Sequence, residues 1–210
     1  LMIDLHDKLQ GKITDIELKR ISIANLGTAN KQIGKIQDAI KFYTQALELA
    51  RENNSRQNEC AALGGLGNCY GDLGDARKAI EFLEQALPIT REIGDRRNEG
   101  TCLNNIGVIY HDMLGDNISA ISYYKQALTI AREINDRTGE ETRLINLSEA
   151  FTTDGQYLQA IETAKESLLI AIELDIPATY EYGYLSKAYL FNGQLVEALI
   201  NTKEAQKFDE

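Results

Sequence analysis

The chain has 210 residues, a formal net charge of −10 and an isoelectric point near 4.8. An acidic surface repels the phosphates of nucleic acids, so we expect no nucleic-acid partner. No apolar run approaches the roughly 18 residues that cross a bilayer, so we expect no membrane partner. A content of 43% hydrophobic residues favours a folded domain.

The cysteines and histidines indicate neither a disulfide framework nor a metal site. The sequence has an odd number of cysteines without tight spacing: Cys60, Cys69 and Cys102. This pattern is typical of small buried thiols. Reduced thiols indicate a reducing compartment, so we expect a cytoplasmic location. His6 and His111 stand outside any metal-binding spacing, and the sequence predicts no metal and no cofactor.

The predicted elements begin close to the N-terminus. The chain starts with Leu1 and Met2, so we expect a fragment of a longer protein, in which residues 1–14 are the end of a preceding repeat or an N-terminal segment. A capping box from Thr14 to Glu17 opens the first complete helix. Apolar residues at spacings of three and four then predict helices throughout. The predicted helices are 15–32, 36–53, 56–73, 76–93, 96–113, 117–134, 137–153, 157–173, 177–191 and 195–207.

The helices form pairs that repeat at intervals of 38 to 41 residues. The period is marked by one apolar position in each first helix: Leu26, Leu66, Ile106, Leu147 and Leu185. A small residue follows each of these positions, and alanines recur in the second helices. Two antiparallel helices approach closely only where the facing side chains are small, so these positions predict helix contacts. A single pair cannot bury its apolar face, so stacked neighbours form the core.

Turn residues mark the ends of the predicted helices. A glycine, suited to the left-handed residue that ends a helix, closes each first helix: Gly34, Gly74, Gly115, Gly155 and Gly193. Short polar residues are predicted to cap the N-termini of the later first helices: Ser55, Asp95, Asp136 and Asp175.

These columns resemble the tetratricopeptide repeat, which has an apolar–Leu–Gly–Tyr signature on its first helix and alanine, aromatic and alanine positions on its second. The resemblance covers residues 20–207. The second and third repeats match best, at Leu63, Leu66, Gly67, Tyr70, Ala79, Ala86, Leu103, Gly107, Tyr110, Ala120, Tyr124 and Ala127. It implies an all-α fold, a right-handed α-solenoid of about five helix-turn-helix repeats. Their predicted bounds are 15–54, 55–94, 95–135, 136–175 and 176–210.

The repeats are near 40 residues long, whereas the common form has about 34. In this they resemble the long-repeat subclass of kinesin light chains, Pins-type polarity adaptors and bacterial proteins that carry STAND NTPases or CHAT proteases. The resemblance implies the sensor or adaptor part of a larger signalling protein.

Members of this family line a concave face with their first helices. Helical spacing places eight candidate peptide-binding residues on that face: Asn25, Asn68, Thr101, Asn104, Asn105, Asp112, Asn146 and Glu149. An amide both donates and accepts hydrogen bonds, so an asparagine column suits the backbone of an extended peptide. Alternatively, these asparagines bond neighbouring helices or solvent.

Arginine–glutamate pairs recur near the ends of the second helices, and a further arginine follows each pair. They are Arg51 and Glu52, Arg91 and Glu92, and Arg132 and Glu133, followed by Arg56, Arg96 and Arg137. Nearby Glu59, Glu99 and Glu140 favour ion pairs between repeats. The alternative is a basic rim that binds an acidic partner.

The sequence contains no nucleophile elbow, phosphate loop or Cys–His arrangement, and it predicts that the chain is not an enzyme. The leading hypothesis is a module that binds a protein or an extended peptide. Two alternatives stay open, a scaffold that self-associates and a receptor for a small signalling peptide. The sequence leaves the oligomeric state undetermined.

Overall fold

The computed structural model describes residues 16–208, with side chains from Ile23 onward. The predicted segment 1–14 and the Thr14 side chain of the capping box lie outside the described residues.

Every regular element within residues 16–208 is helical. The ten α-helices are α1 Ile16–Gln32, α2 Ile36–Glu52, α3 Arg56–Asp72, α4 Ala76–Glu92, α5 Arg96–Val108, α6 Asn117–Glu133, α7 Arg137–Thr153, α8 Tyr157–Glu173, α9 Thr179–Phe191 and α10 Leu195–Gln206. A π-helical turn at Ile109–Met113 extends α5. With the π-helical turn counted as part of α5, the predicted helices are confirmed to within two residues at each end.

The chain divides into two compact units between Asn105 and Ile106. In the first unit, α2 packs against both α1 and α3, α3 packs against α4, and α1 also touches α3. In the second unit, α8 packs against both α7 and α9, α9 packs against α10, and α7 also touches α9. The all-α fold of about five antiparallel helix pairs is confirmed, whereas the right-handed sense of the solenoid stays a prediction.

The predicted turn glycines are confirmed at the ends of the first helices. Each has a positive φ: Gly34, Gly74, Gly115, Gly155 and Gly193. At Gly74, where φ is 79°, the N–H bonds back to the carbonyl of Gly71 at 2.9 Å and closes the last turn of α3. An L-residue with a Cβ atom rarely adopts this conformation, which is why glycine suits the position.

Two of the four predicted N-caps hold backbone N–H groups. Asp95 accepts from the N–H of Asn98 at 3.1 Å, and Asp136 accepts from the N–H of Gly139 at 3.1 Å. Ser55 occupies the N-cap position of α3, but its hydroxyl accepts from a side-chain amide instead.

The prediction that Asp175 caps the N-terminus of α9 is wrong. Its φ is 55°, so it ends α8 in the left-handed conformation, as Asn54 and Asn135 do for α2 and α6. In those earlier repeats the cap follows that residue directly. In the fifth repeat Ile176 and Pro177 come next, and α9 begins only at Thr179.

The third repeat contains one extra residue, and a π-helical turn absorbs it. Leu66 and Gly74 are eight residues apart, whereas the equivalent Ile106 and Gly115 are nine apart. The N–H of Leu114 bonds to the carbonyl of Ile109, five residues back, at 3.2 Å. The wider turn takes up the insertion, so the glycine still ends the helix.

The core follows the predicted columns. The five apolar residues that mark the period are at most 4% exposed: Leu26, Leu66, Ile106, Leu147 and Leu185. The alanines that begin the second helices are also buried: Ala39, Ala79, Ala120, Ala160 and Ala198.

Several small residues accommodate a tyrosine ring from the second helix. Tyr43 of α2 lies between Gly27 of α1 and Gly65 of α3, where added Cβ atoms would lie 3.0 Å and 2.5 Å from the ring. In the other unit, Tyr124 lies against Gly107, where a Cβ atom would be 2.6 Å from the ring. These glycines therefore allow an aromatic side chain to fill the space between helices.

Buried carboxylates join successive repeats. Glu99 is 4% exposed and lies at the start of α5. Arg91 of α4 donates to it from Nε at 2.8 Å, and Arg96 of its own helix also bonds to it. Burial alone would raise the pKa of Glu99, but the two arginines outweigh it and hold the pKa below its usual value. We call this arrangement the arginine clamp.

The arginine clamp recurs in both units. Glu59 accepts from Arg51 at 2.9 Å and from Arg56 at 2.8 Å. Glu140 accepts from Arg132 at 2.7 Å and from Arg137 at 2.6 Å. The inter-repeat ion pairs favoured by the sequence are therefore confirmed.

Two neighbouring glycines of α3 give a matched test of the tyrosine packing. We expect Gly65→Ala to destabilise the protein by about 1–3 kcal/mol, because the added methyl group overlaps Tyr43. Gly64 has nothing within 4 Å of an added Cβ atom, so Gly64→Ala should raise stability by about 0.5–1 kcal/mol through helix propensity. Urea denaturation of both variants measures the difference, and shifts of the same sign would contradict this account.

We expect Glu99→Gln to lower the free energy of unfolding by about 2 kcal/mol at pH 7, because two arginines lose their buried anion. A lowered pKa means that this stabilisation is present above the ordinary value of 4.5 and is lost as the pH falls through the lower folded value. The gap between wild type and variant should therefore narrow in acid. The exposed Glu84→Gln is the control, and a pH-independent gap would contradict the clamp.

Candidate functional site

A cavity of about 360 Å³ opens in the first unit, on the face that the first helices share. Helices α1, α3 and α5 supply most of its wall, and α2 and α4 each supply one residue. The lining residues are Ala24, Asn25, Thr28, Tyr43, Cys60, Ala61, Gly64, Gly65, Asn68, Leu83, Asn98, Thr101, Cys102 and Asn105.

Four of the eight predicted site residues line this cavity: Asn25, Asn68, Thr101 and Asn105. Asn104 is half-buried on the same helix as Asn105 and is not among the lining residues. The other three, Asp112, Asn146 and Glu149, belong to the second unit. The structure thus brings half of the predicted set together at one place.

Two asparagines bond to each other across the cavity wall. Asn105 of α5 donates from Nδ2 to Oδ1 of Asn68 on α3 at 2.8 Å. This contact corresponds to the alternative in which asparagines bond neighbouring helices. It also orients both amides, and it uses only one donor of Asn105 and one lone pair of Asn68. Each half-buried amide therefore keeps further hydrogen-bonding capacity.

The cavity exists because its wall carries small residues in the middle of α3. Gly64 and Gly65 are half-buried and expose backbone where other helices carry side chains. Tyr43 fills the space over Gly65, and its hydroxyl bonds to Thr28 at 2.9 Å. The space over Gly64 is open.

The floor of the cavity is apolar. Tyr43, Cys60, Leu83 and Cys102 are all buried. Burial raises the pKa of the Cys60 thiol to about 11 and that of the Cys102 thiol to about 12, so both stay protonated at neutral pH. All the lining residues are uncharged side-chain types.

Sequence reasoning missed the contribution of the second helices to the floor. Tyr43 and Leu83 occupy equivalent positions, four residues after the buried alanine of each second helix. In the structure Gly65 lies against Tyr43 and Gly67 against Leu83, and these contacts depend on side-chain directions that spacing in the sequence does not give.

The second unit presents a charged cluster on its first helices. Glu149 of α7 accepts from the Tyr184 hydroxyl at 3.1 Å and from Nζ of Lys187 at 3.2 Å, both on α9. Burial and the Glu149 carboxylate raise the pKa of Tyr184 to about 12, so the phenol remains a donor. A shallow notch of about 210 Å³ lies beside these residues, lined by Thr179, Tyr180, Gly183, Tyr184 and Lys187.

The remaining predicted residues of the second unit do not line that notch. Asn146 is half-buried on α7. Asp112 is exposed in the π-helical turn, where it bonds to Nδ1 of His111 at 2.7 Å. The other ring nitrogen of His111 bonds to the Thr153 hydroxyl at 3.0 Å and so ties the turn to α7.

A model of the tetratricopeptide repeat matches three overlapping stretches, residues 18–92, 58–133 and 99–173, which together cover more than half of the chain. The chain belongs to the tetratricopeptide repeat family. The resemblance of the repeats to this family is thereby confirmed. No curated protein matches the sequence.

Solved structures share the fold at low sequence identity. BtubC (BKLC) from P. vanneervenii has a TM-score of 0.85 and 20% identity over 99% of this chain and 86% of that one. A STAND protein with a tetratricopeptide repeat sensor, from Pyrococcus horikoshii, has a TM-score of 0.86 and 22% identity over 99% of this chain and 33% of that one. A Rap protein complexed with Competence and Sporulation Factor has a TM-score of 0.79 and 19% identity over 99% of this chain and 58% of that one.

Two properties of the described part of this tetratricopeptide repeat domain bear on its chemistry. Among the side chains that the structure describes, from Ile23 to Phe208, no group of three or more His, Cys, Asp or Glu could hold a metal ion. No helix in that part is long and apolar enough to cross a membrane. The absence of catalytic activity stays a prediction.

Two buried carboxyl groups face each other near the last repeats of the domain. Glu181 of α9 is 2% exposed, and Glu141 of α7 is also buried. Burial and the hydrogen bond with Glu141 raise the pKa of Glu181 to about 7. Oε2 of Glu181 has no hydrogen-bond partner in the described part of the chain. The pair is therefore most stable when it holds a proton.

We expect stability to fall as the pH rises from 4.5, the ordinary carboxyl value, towards about 7, because the folded state holds a proton on Glu181 that the unfolded chain releases. Glu181→Gln removes this dependence and should stabilise the domain by about 1–3 kcal/mol at pH 8. We expect the amide of the variant to donate to Glu141 in place of the protonated carboxyl group. Urea denaturation at pH 5 and pH 8 measures the effect, with the exposed Glu162→Gln as control. A gain of the same size at both pH values would contradict it.

Proposed function

We propose that this domain binds an extended peptide segment of a partner protein in the cavity of the first unit. The observation that carries the proposal is the oriented amide pair of Asn68 and Asn105 beside the open backbone at Gly64. Asn25 and Thr101 add exposed polar groups to the same wall.

The polar rim suits the backbone of a peptide. An extended chain presents N–H and C=O groups alternately, and each needs a partner when water is displaced. Asn68 and Asn105 each offer donor and acceptor capacity beyond their mutual bond. The absence of a Cβ atom at Gly64 lets a ligand backbone approach α3 closely.

We also propose that the domain is the sensor or adaptor part of a larger signalling protein. The chain spans 33% of the STAND protein whose tetratricopeptide repeat part is a sensor, and 58% of the Rap protein complexed with Competence and Sporulation Factor. Recognition of a peptide by a repeat domain would supply the input for such a protein. Self-association and reception of a small signalling peptide stay alternative hypotheses.

The experiment is a selection of random linear peptides displayed against the 210-residue chain, followed by calorimetry on the enriched peptides. We expect Asn105→Ala to weaken their binding about tenfold or more, because each lost hydrogen bond to the peptide costs about 1.5 kcal/mol. The variant should keep its helical circular dichroism, since Asn105 is half-buried and outside the apolar core.

Asn104→Ala is the matched control, because it changes the preceding asparagine of α5, which does not line the cavity. It should bind the enriched peptides as wild type does. Failure to enrich any peptide, or equal binding by wild type and Asn105→Ala, would contradict the proposed function.

A further inference from the structure

We infer that the cavity of the first unit selects a peptide that inserts a bulky, uncharged side chain as its anchor. This inference rests on the proposed function and adds the chemistry of the ligand. It depends on the apolar floor formed by Tyr43, Cys60, Leu83 and Cys102 beneath a rim of amides and hydroxyls.

The floor offers no charge to a side chain that enters it. Its thiols stay protonated, and the Tyr43 hydroxyl is engaged with Thr28 at 2.9 Å. A charged side chain would lose its hydration without gaining an opposite charge, and burying an unpaired charge is costly. A bulky apolar side chain instead gains from leaving water.

The carboxylates whose charges reach the floor of the cavity are already engaged. Asp95, Glu59 and Glu99 lie close enough to influence the thiols of the floor. Asp95 accepts from the backbone N–H of Asn98 at 3.1 Å and from its side-chain amide at 2.6 Å. Glu59 and Glu99 are each held by two arginines of an arginine clamp. Because these carboxylates are already paired and the lining carries neither a cation nor an anion, a charged anchor of either sign finds no partner in the cavity.

The size of the cavity fits a large side chain with part of its backbone. A volume of about 360 Å³ lies near the lower end of the roughly 300–1,000 Å³ that ligand pockets enclose. Waters over an apolar floor have few partners, so an apolar group that displaces them gains affinity. Gly64 keeps this volume open, because a side chain there would project into space with nothing within 4 Å of its Cβ atom.

The test uses the peptides enriched on the whole chain. Each peptide is substituted position by position with leucine, phenylalanine, lysine and glutamate, and its affinity for the wild-type chain is measured. We expect one position that accepts leucine or phenylalanine and loses affinity about a hundredfold with lysine or glutamate. A benzophenone side chain at that position should cross-link to residues of the floor.

Two variants of α3 fix the location of the anchor. Gly64→Leu fills the cavity and should abolish binding and cross-linking. Gly71→Leu introduces the same side chain on the same helix, also with nothing within 4 Å, and should leave both unchanged. If it also impaired binding, the anchor site would not be the cavity.

The outcomes separate this inference from the proposed function. Peptides that lose affinity in Asn105→Ala but require a charged anchor, or that cross-link outside the cavity, would overturn the anchor and leave peptide binding standing. Failure to enrich any peptide would overturn both.

Discussion

The central constraint in this fold is that a second helix packs against two first helices at once, its own partner and the first helix of the next repeat. Small residues make the double contact possible, and Tyr43 between Gly27 and Gly65 shows how closely the helices approach. Because α2 touches both α1 and α3, these two helices lie side by side, and their outward faces form one surface. The contact of α7 with α9 has the same origin in the other unit. The candidate site is therefore a consequence of core packing.

In the first unit, charged side chains lie outside the lining of the cavity. The chain is 26% charged residues, yet the cavity lining contains none. The arginine clamps account for part of this separation, because they hold Glu59 and Glu99 at the starts of α3 and α5 with arginines from the preceding second helices. At Glu59 the charges balance in number, because Arg56 also pairs with Glu92, so that two arginines meet two carboxylates. The second unit differs, since Glu149 and Lys187 bring charges onto its first helices.

Periodicity in the sequence was enough to predict the helices, the turn glycines and the buried columns, because each depends on local spacing and on residue size. It also supplied four lining residues, since helical spacing identifies a face. It could not supply the bond between Asn68 and Asn105 or the floor residues Tyr43 and Leu83, which depend on side-chain directions across neighbouring helices. The prediction of an N-cap at Asp175 failed because it assumed that α9 begins directly after this position, as the earlier first helices do. In the structure Asp175 instead ends α8, and α9 begins at Thr179.

Two adjacent glycines on α3 differ in whether the packing of the helices requires them. Gly65 has a folding reason, because Tyr43 occupies the space that a methyl group would need. Gly64 has no such neighbour, and glycine in a helix interior costs about 0.5–1 kcal/mol relative to alanine. Packing therefore does not explain Gly64, whereas an occupant of the cavity would, since any side chain there removes volume above an apolar floor. Under the proposed function, the stability lost at Gly64 is the cost of keeping the cavity open to a peptide.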